Sequence, residues 1–330
     1  MSIVERALHK AQNAAKAVAA PPAASPAEHV PPAAPSTAIA TATAKALAAA
    51  TSSSQEGTAD QNSVTWRDLK TIVEIPVERL RSEGRLPTLE LARQMEEEMR
   101  RIKWPLLHAI KGRGGAAPTR NNVILVTSAV PGEGKSFTSL NLALSIVRDR
   151  EMRVILVDGD VARPGLTPEL GLIDRPGLND ILDDTSLDVT SVTYQTDVEG
   201  LFFVPAGKWH DQSPEFFAGT RMPQVIEALC ERVGNGVIIL DSPPLLATNE
   251  AQVATRYVGQ VLLVVRADAT EQRAVLDAIA LVDKSTPVSA ILNCVEETAL
   301  SKYYGQYYYG YGQTYGSERG RNRESGKGDA

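Results

Sequence analysis

Cysteine, histidine and aromatic residues are scarce in this chain, and their scarcity excludes several kinds of site. Among the 330 residues there are two Cys and four His, and aromatic residues make up 5%. Cys230 and Cys294 have no C-x-x-C spacing, so the sequence indicates neither a disulfide scaffold nor a zinc site. We therefore expect a protein of a reducing compartment.

Long apolar runs and an excess of basic charge are also missing. No run approaches the roughly 18 apolar residues of a membrane-spanning helix. The N-terminus is charged at Glu5, Arg6 and Lys10 and has no apolar core, so it is not a secretory signal. The 34 Lys and Arg against 40 Asp and Glu give a net charge of -6, whereas nucleic-acid binders are basic. We expect a soluble cytoplasmic protein with no nucleic-acid partner.

Composition divides the chain into four segments. Residues 1–64 begin with a short helical pattern, either frayed or used to dock a partner, and continue as a disordered linker rich in Ala, Pro and Ser. Residues 65–117 contain a helical pattern and a glycine-rich link, residues 118–298 hold the main domain, and residues 299–330 form a disordered tail. In the second segment one apolar stripe predicts a helix that ends at Pro105, with Ala92, Met95, Met99 and Ile102 as its members.

Six short apolar runs in the main domain alternate with helical patterns. They predict strands over residues 123–127, 154–157, 201–204, 237–240, 261–265 and 288–292. Continuous apolar runs of this length, separated by helical stretches, are typical of a parallel sheet covered on both faces. The sequence therefore predicts an α/β fold with a doubly wound, mostly parallel sheet.

The first predicted strand runs into a phosphate-binding loop. Residues 128–136 (SAVPGEGKS) contain the pattern A-x-x-x-x-G-K-S. Gly132 and Gly134 allow the backbone to turn successive N–H groups toward phosphate oxygens. Lys135 supplies charge to the β- and γ-phosphates, and the Ser136 hydroxyl is a ligand for Mg²⁺. The strand before this loop and the helix after it favour nucleoside-triphosphate binding over an ordinary glycine-containing turn.

Carboxylates follow two other predicted strands. Asp158 and Asp160 come after the run at 154–157, and Asp241 comes after the run at 237–240. Open α/β sheets bind ligands at the carboxyl ends of their strands. A single Asp in such a position is usually a loop or helix cap, but three beside a phosphate loop favour Mg²⁺, which prefers oxygen ligands.

Three motifs together resemble a known family. Residues 126–138 (VTSAVPGEGKSFT), 154–160 (VILVDGD) and 238–244 (IILDSPP) are similar to the Walker A, A′ and B motifs of the bacterial tyrosine kinases (BY-kinases). These are cytoplasmic autokinases of capsule and exopolysaccharide systems. The start of the chain (MSIVERAL) also resembles the opening helix of exopolysaccharide autokinases. The resemblance implies a P-loop NTPase fold of the Min/Par-like (deviant Walker) group, with ATP and Mg²⁺ as cofactors.

The resemblance also implies roles for individual residues. The catalytic set would be Lys135, Asp158, Asp160 and Asp241, with Asp158 the first candidate to assist the tyrosine hydroxyl. The metal would be held by Ser136, Asp158 and Asp241. Nucleotide binding would involve Pro131, Gly132, Glu133, Gly134, Lys135, Ser136, Phe137 and, as a base contact, Asn293, for which a plain turn residue is the competing interpretation.

Two positions depart from the family pattern. Glu97, Arg100 and Lys103 fall where the family has an E-x-x-R-x-x-R oligomerisation motif, with Lys103 in place of the last Arg. An exposed helix face with charge pairs three residues apart explains this spacing about equally well. Ala162 precedes Arg163 where the family has a basic pair.

Tyrosine is concentrated in the tail. Seven of the nine Tyr fall in one stretch with Gly and Gln between them: Tyr303, Tyr304, Tyr307, Tyr308, Tyr309, Tyr311 and Tyr315. Without aliphatic neighbours they cannot form a core, and alone they would indicate an aromatic low-complexity segment. Beside the kinase motifs they predict phosphorylation sites, modified between subunits.

Partners and rival functions complete the expectation. The resemblance implies a homo-oligomer, a transmembrane chain-length-determinant (co-polymerase) activator that holds the protein at the inner face of the plasma membrane, and a phosphotyrosine phosphatase. One rival is a Min/Par-type partition or positioning ATPase, disfavoured because Val130 occupies the position of that group's signature Lys. The other is a nucleotide-gated scaffold protein.

Overall fold

The computed structural model describes residues 72–111, 120–211 and 213–295, which belong to the unit Thr71–Ala330. The predicted N-terminal helix, the linker, the glycine-rich link and the tyrosine tail lie outside the described residues. So does the predicted boundary between residues 117 and 118.

Strands and helices alternate through most of the described chain. The strands are β1 (Ile72–Val73), β2 (Val123–Ser128), β3 (Val154–Asp158), β4 (Tyr194–Thr196), β5 (Leu201–Val204), β6 (Val237–Asp241), β7 (Gln260–Arg266) and β8 (Val288–Asn293). The helices are α1 (Val77–Ser82), α2 (Ala92–Lys111), α3 (Lys135–Val147), α4 (Leu166–Glu169), α5 (Leu178–Asp183), α6 (Ser213–Ala218), α7 (Arg221–Val233), α8 (Asn249–Ala254) and α9 (Gln272–Leu281). Within these residues, no helix combines the length and the apolar character needed to cross a bilayer.

The strands form one sheet in the order β1-β4-β5-β3-β6-β2-β7-β8. The six strands predicted from sequence, which run from β5 to β8 in this order, are all parallel to one another. The prediction missed β4, which is antiparallel to β5, and β1, which pairs with β4. The mostly parallel α/β fold is confirmed.

Helices cover both faces of the sheet. Successive side chains of a strand point to opposite faces, so all of them become buried. On one face Ile124, Leu156 and Ile239 belong to the main hydrophobic core, which also contains side chains of α2 and α3. Their neighbours Leu125, Ile155 and Leu240 are just as buried but point to the face that α7 covers by packing on β3 and β6. This arrangement explains the continuous apolar runs in the sequence.

The helix before the main domain does not end at Pro105, so that prediction was wrong. The helix α2 continues through Pro105 to Lys111, although a proline inside a helix removes the hydrogen bond to the carbonyl four residues earlier. Leu106 is 1% exposed, and Leu107 and Ile110 pack against the core. The Gln260 amide also donates to the Leu106 carbonyl at 3.1 Å. Tertiary burial therefore outweighs the local penalty.

Candidate functional site

The phosphate loop connects β2 to α3, as the sequence predicts. Gly132 and Gly134 have φ of +82° and +95°, in the left-handed region that favours glycine. Gly134 is also the N-cap of α3 and offers no side chain to the helix's first turn. The N–H groups of that turn and the positive end of the helix dipole are therefore left for an anion.

The side chain of Glu133 braces this loop from inside the protein. Glu133 is 1% exposed. Its Oε2 accepts from the Val130 N–H at 2.8 Å, and its Oε1 accepts from the Arg266 N–H at 3.1 Å and the Thr270 hydroxyl at 2.6 Å. The carboxylate of Glu133 therefore fixes the loop to the end of β7, which leaves only its backbone for the predicted nucleotide contact.

Asp158 and Asp241 end the neighbouring strands β3 and β6, where their Cα atoms are register partners. Both are fully buried. Asp241 accepts from the hydroxyls of Ser136, at 2.6 Å, and Ser139, at 3.1 Å. The sheet therefore brings the phosphate-loop serine and the predicted carboxylates together.

Burial dominates the electrostatics of this carboxylate pair. It raises the pKa of Asp241 to about 7, and the nearby Asp158 raises it too, while hydrogen bonds from Ser136 and Ser139 and the charge of Lys135 lower it. Burial also raises the pKa of Asp158 to about 6, against hydrogen bonds from Thr167 that lower it. Burial raises the pKa of the more exposed Asp160, which Lys135 opposes. A positive charge nearby would stabilise the ionised forms of these two adjacent buried carboxylates.

The donor set fits a magnesium ion. The Oδ1 atom of Asp158 is buried and has no hydrogen-bond partner among the described residues. The Ser136 hydroxyl donates a hydrogen bond to Asp241, so the lone pairs of its oxygen remain free for a metal. In the part of the chain that the structure describes, no group of three His, Cys, Asp or Glu forms a self-contained metal site. Mg²⁺ usually takes one or two carboxylates together with substrate phosphates and waters.

Thr167 belongs to this site, although no sequence motif pointed to it. Its N–H and hydroxyl both donate to Oδ2 of Asp158, at 2.7 and 2.8 Å. The same hydroxyl accepts from the N–H of Ala206, two residues after β5. Only its position nine residues after Asp158 could have indicated it, and such spacing has no recognised meaning in a sequence.

Asn293 lies directly against the phosphate loop. Its amide donates to the Glu133 carbonyl at 2.9 Å. A Cβ atom added at Gly134 would lie 2.0 Å from the Asn293 amide nitrogen. The structure thus places the last residue of β8 beside the loop, as the parallel sheet predicts; the base contact remains a prediction.

The predicted oligomerisation residues Glu97, Arg100 and Lys103 all lie on α2. Arg100 is exposed and its closest charge partner is Glu96, at 3.8 Å, while Glu97 is partly exposed. Lys103 is used within the chain, because its ammonium donates to the Ser145 carbonyl at 2.8 Å and to Asp149 at 3.2 Å. The Lys103 side chain is only 12% exposed. It therefore fixes α2 to the C-terminal end of α3.

We expect a Lys103→Met variant to lower the free energy of unfolding by about 1–2 kcal/mol, since a charged hydrogen bond to a partly buried carbonyl is lost while the apolar stem is kept. Urea denaturation of the variant measures the change. Lys111→Met, at an exposed position on the same helix, is the control and should stay within about 0.5 kcal/mol of the parent. Equal values for both variants would show that Lys103 has no such role.

No family model matches the chain, but individual relatives do. Tyrosine-protein kinase ptk of Acinetobacter johnsonii is 30% identical over 154 residues, which cover 47% of this chain and 20% of ptk. Tyrosine-protein kinase wzc of Salmonella typhimurium is 29% identical over 196 residues, which cover 58% of this chain and 27% of wzc. The chain thus spans about a fifth to a quarter of the length of these curated relatives.

A solved structure agrees with these relatives. The kinase domain of the Escherichia coli tyrosine kinase ETK superposes with a TM-score of 0.51 at 26% identity, covering 56% of this chain and 71% of that domain. The resemblance inferred from the three motifs is therefore confirmed, and so is the predicted P-loop α/β fold.

Proposed function

We propose that this chain, a homologue of the bacterial tyrosine-protein kinases, is an ATP-dependent autokinase that phosphorylates its own C-terminal tyrosine cluster. Transfer takes place between subunits of a homo-oligomer, and the phosphorylation state regulates exopolysaccharide polymerisation or export. The protein acts at the inner face of the membrane through a transmembrane co-polymerase, and a phosphotyrosine phosphatase reverses the modification.

One observation carries this proposal: the strand β8 ends beside the phosphate loop. The strand runs parallel to β7, which is parallel to β2, so the chain leaves β8 at the edge of the sheet that holds the loop and the carboxylates. Asn293 at this exit contacts the loop itself. Tyr308 follows 15 residues later, a reach of at most about 50 Å. That span allows a tyrosine to enter a neighbouring subunit's site as well as its own.

The residues divide the work of phosphoryl transfer. Lys135 and the loop N–H groups hold the triphosphate, and Ser136 with Asp241 would hold Mg²⁺, which leaves the free Oδ1 atom of Asp158 for the phenol proton. When bound, the ion neutralises charge on the phosphate oxygens. The tyrosine oxygen forms a bond to the γ-phosphorus as the bond to the ADP oxygen breaks, and the phenol proton passes to Asp158. The phenol has a pKa of about 10, so a nearby base is useful.

The tail needs little dedicated binding surface in this scheme. A tethered tyrosine is present at roughly millimolar effective concentration. Each phosphate adds about -1.5 to -2 charges, and the seven tail tyrosines are closely spaced. We propose that this self-repulsion loosens the oligomer. Equal sedimentation of the phosphorylated and dephosphorylated protein would contradict that step.

Mixing two complementary variants tests the kinase assignment. The first ends at Leu300 and lacks the tail tyrosines; the second is full-length Lys135→Met. With γ-labelled ATP and Mg²⁺, we expect neither variant alone to gain label and the mixture to label the Lys135→Met chain on Tyr303–Tyr315, as mapped by mass spectrometry. The parent protein, which carries neither change, should label itself on the same residues when assayed in parallel.

The other outcomes are distinct. Label in the full-length protein but not in the mixture would restrict transfer to a single chain. Release of free phosphate without labelled tyrosine would favour the partition-type ATPase and overturn the kinase proposal. If neither labelled tyrosine nor free phosphate forms, the nucleotide-gated scaffold is the remaining function.

A further inference from the structure

The segment before α2 supplies the strand at one edge of the sheet, next to β4. We call residues 72–91 the edge segment. Its strand β1 pairs with β4, and the Ile75 N–H donates to Asp197 at 3.0 Å. Leu80 and Leu86 enter the main core. The edge segment is therefore an integral part of the fold, although it comes before the nucleotide-binding motifs.

Two arginines of the edge segment hold the short helix α4. The Arg85 guanidinium lies 2.8 Å from Glu169 Oε1, and the Glu169 side chain is 9% exposed. The Arg79 guanidinium donates to the Glu169 carbonyl. Burial raises the pKa of Glu169, and the charge of Arg85 opposes that rise. Arg85 is thus the main counter-charge for a carboxylate that has little access to water.

Helix α4 in turn carries the residue that holds Asp158. Thr167 lies two residues before Glu169 and gives both of its donors to Asp158. The Thr167 carbonyl accepts from the Leu172 N–H at 2.9 Å, which closes the turn that contains Glu169. A shift of α4 would therefore move both hydrogen bonds on Asp158 together.

The edge segment also contacts the helix after the phosphate loop. The Asn141 amide of α3 donates to the Arg85 carbonyl at 3.1 Å and to the Phe137 carbonyl at 2.8 Å. Arg85 therefore contacts both α3 and α4.

We infer that the Arg85–Glu169 pair is a positioning device: it fixes α4 so that Thr167 orients the Asp158 carboxylate toward the reacting tyrosine. The effect on phosphoryl transfer rests on the proposed kinase function, whereas the effect on α4 does not. Arg85, Glu169 and Thr167 are positioning residues, since each acts through Asp158.

The test uses full-length Arg85→Met, Glu169→Gln and the double variant, with Arg273→Met as the matched control. Arg273 forms an exposed pair with Asp277 on α9, and its side chain is 81% exposed. Amide hydrogen exchange of Thr167, followed by NMR, reports the position of α4 without any catalysis. We expect exchange at Thr167 to accelerate at least about tenfold in each single variant and to remain unchanged in Arg273→Met.

Autophosphorylation kinetics provide the second readout. The kcat of each single variant should fall about tenfold, while the KM for ATP changes by less than about twofold, because phosphate contacts are untouched. The double variant should be no worse than either single one, since both remove the same pair. Thr167→Val should show the same loss of kcat, and Thr167→Ser, which keeps the hydroxyl, should recover most of it.

The results separate this inference from the proposed function. Unchanged Thr167 exchange in Arg85→Met and Glu169→Gln would overturn the inference, whatever the activity. An inactive parent protein would overturn the kinase proposal, while accelerated exchange would still support the mechanical link. Equal falls in kcat for Arg85→Met and Arg273→Met would show that the loss is not specific to α4 and would also overturn it.

Discussion

Replacing Asp158 by Asn is expected to slow tail phosphorylation by about a hundredfold or more, because proton transfer by a positioned base contributes typically 10²–10⁴ in rate. The Asn side chain has nearly the same shape, and its oxygen can still accept from the N–H and hydroxyl of Thr167. The variant therefore removes the charge and the basicity of Asp158 while keeping its hydrogen bonds. Single-turnover labelling at saturating ATP and Mg²⁺ measures the effect.

The physical basis of this expectation is the buried position of Asp158. Burial raises its pKa to about 6, so at pH 7 it remains largely ionised, yet it is a stronger base than an exposed aspartate of pKa near 3.9. A base whose pKa lies closer to that of the phenol accepts its proton more readily. The free Oδ1 atom of Asp158 is available for that proton, whereas Oδ2 is occupied by Thr167.

Asp160→Asn is the matched comparison. Asp160 lies two residues further on, is more exposed than Asp158, and accepts from the Arg163 N–H at 3.2 Å. We expect the smaller loss of rate at this position. A larger loss in Asp160→Asn than in Asp158→Asn would transfer the role of base to Asp160. Near-parental rates in both variants would mean that neither carboxylate takes the proton.

Sequence patterns located the core strands and the phosphate loop because their causes are local. A strand buried on both faces must be apolar at every position, so β2, β3 and β6 appear as continuous runs. Gly132 and Gly134 mark backbone angles that other residues rarely adopt. Such features depend on neighbouring residues alone and can be recognised before any fold is known.

The missed features depend on contacts between distant parts of the chain. The strands β1 and β4 contain two and three residues, too few for an alternation pattern, and exist because each pairs with a neighbour. The helix α2 passes Pro105 because Leu106 beyond it enters the core. Lys103 and Thr167 acquire their roles from α3 and β3, so nothing in their own surroundings in sequence indicates those roles.

Substituting Ala for Gly134 is expected to weaken nucleotide binding by about a hundredfold, and Gly132→Ala by only about tenfold. Both residues have positive φ, and a side chain in that region costs about 1–2 kcal/mol. A free-energy change of about 1.4 kcal/mol corresponds to a tenfold change in affinity. At Gly132 the added Cβ meets open space, whereas at Gly134 it would lie 2.0 Å from the Asn293 amide nitrogen. Titration with a fluorescent ADP analogue measures both affinities.

Asn293 makes the two glycines distinguishable. In Gly134→Ala the Asn293 amide must leave its place and give up its hydrogen bond to the Glu133 carbonyl, so the loop loses a brace as well as gaining strain. We expect Asn293→Ala to weaken nucleotide binding in the parent protein, where the residue supports the loop, and to strengthen it in the Gly134→Ala background, where it obstructs. The same change would then have opposite signs in two backgrounds. Equal losses for Gly132→Ala and Gly134→Ala, with no recovery in the double variant, would show that the loop tolerates the contact and that Asn293 does not hold it.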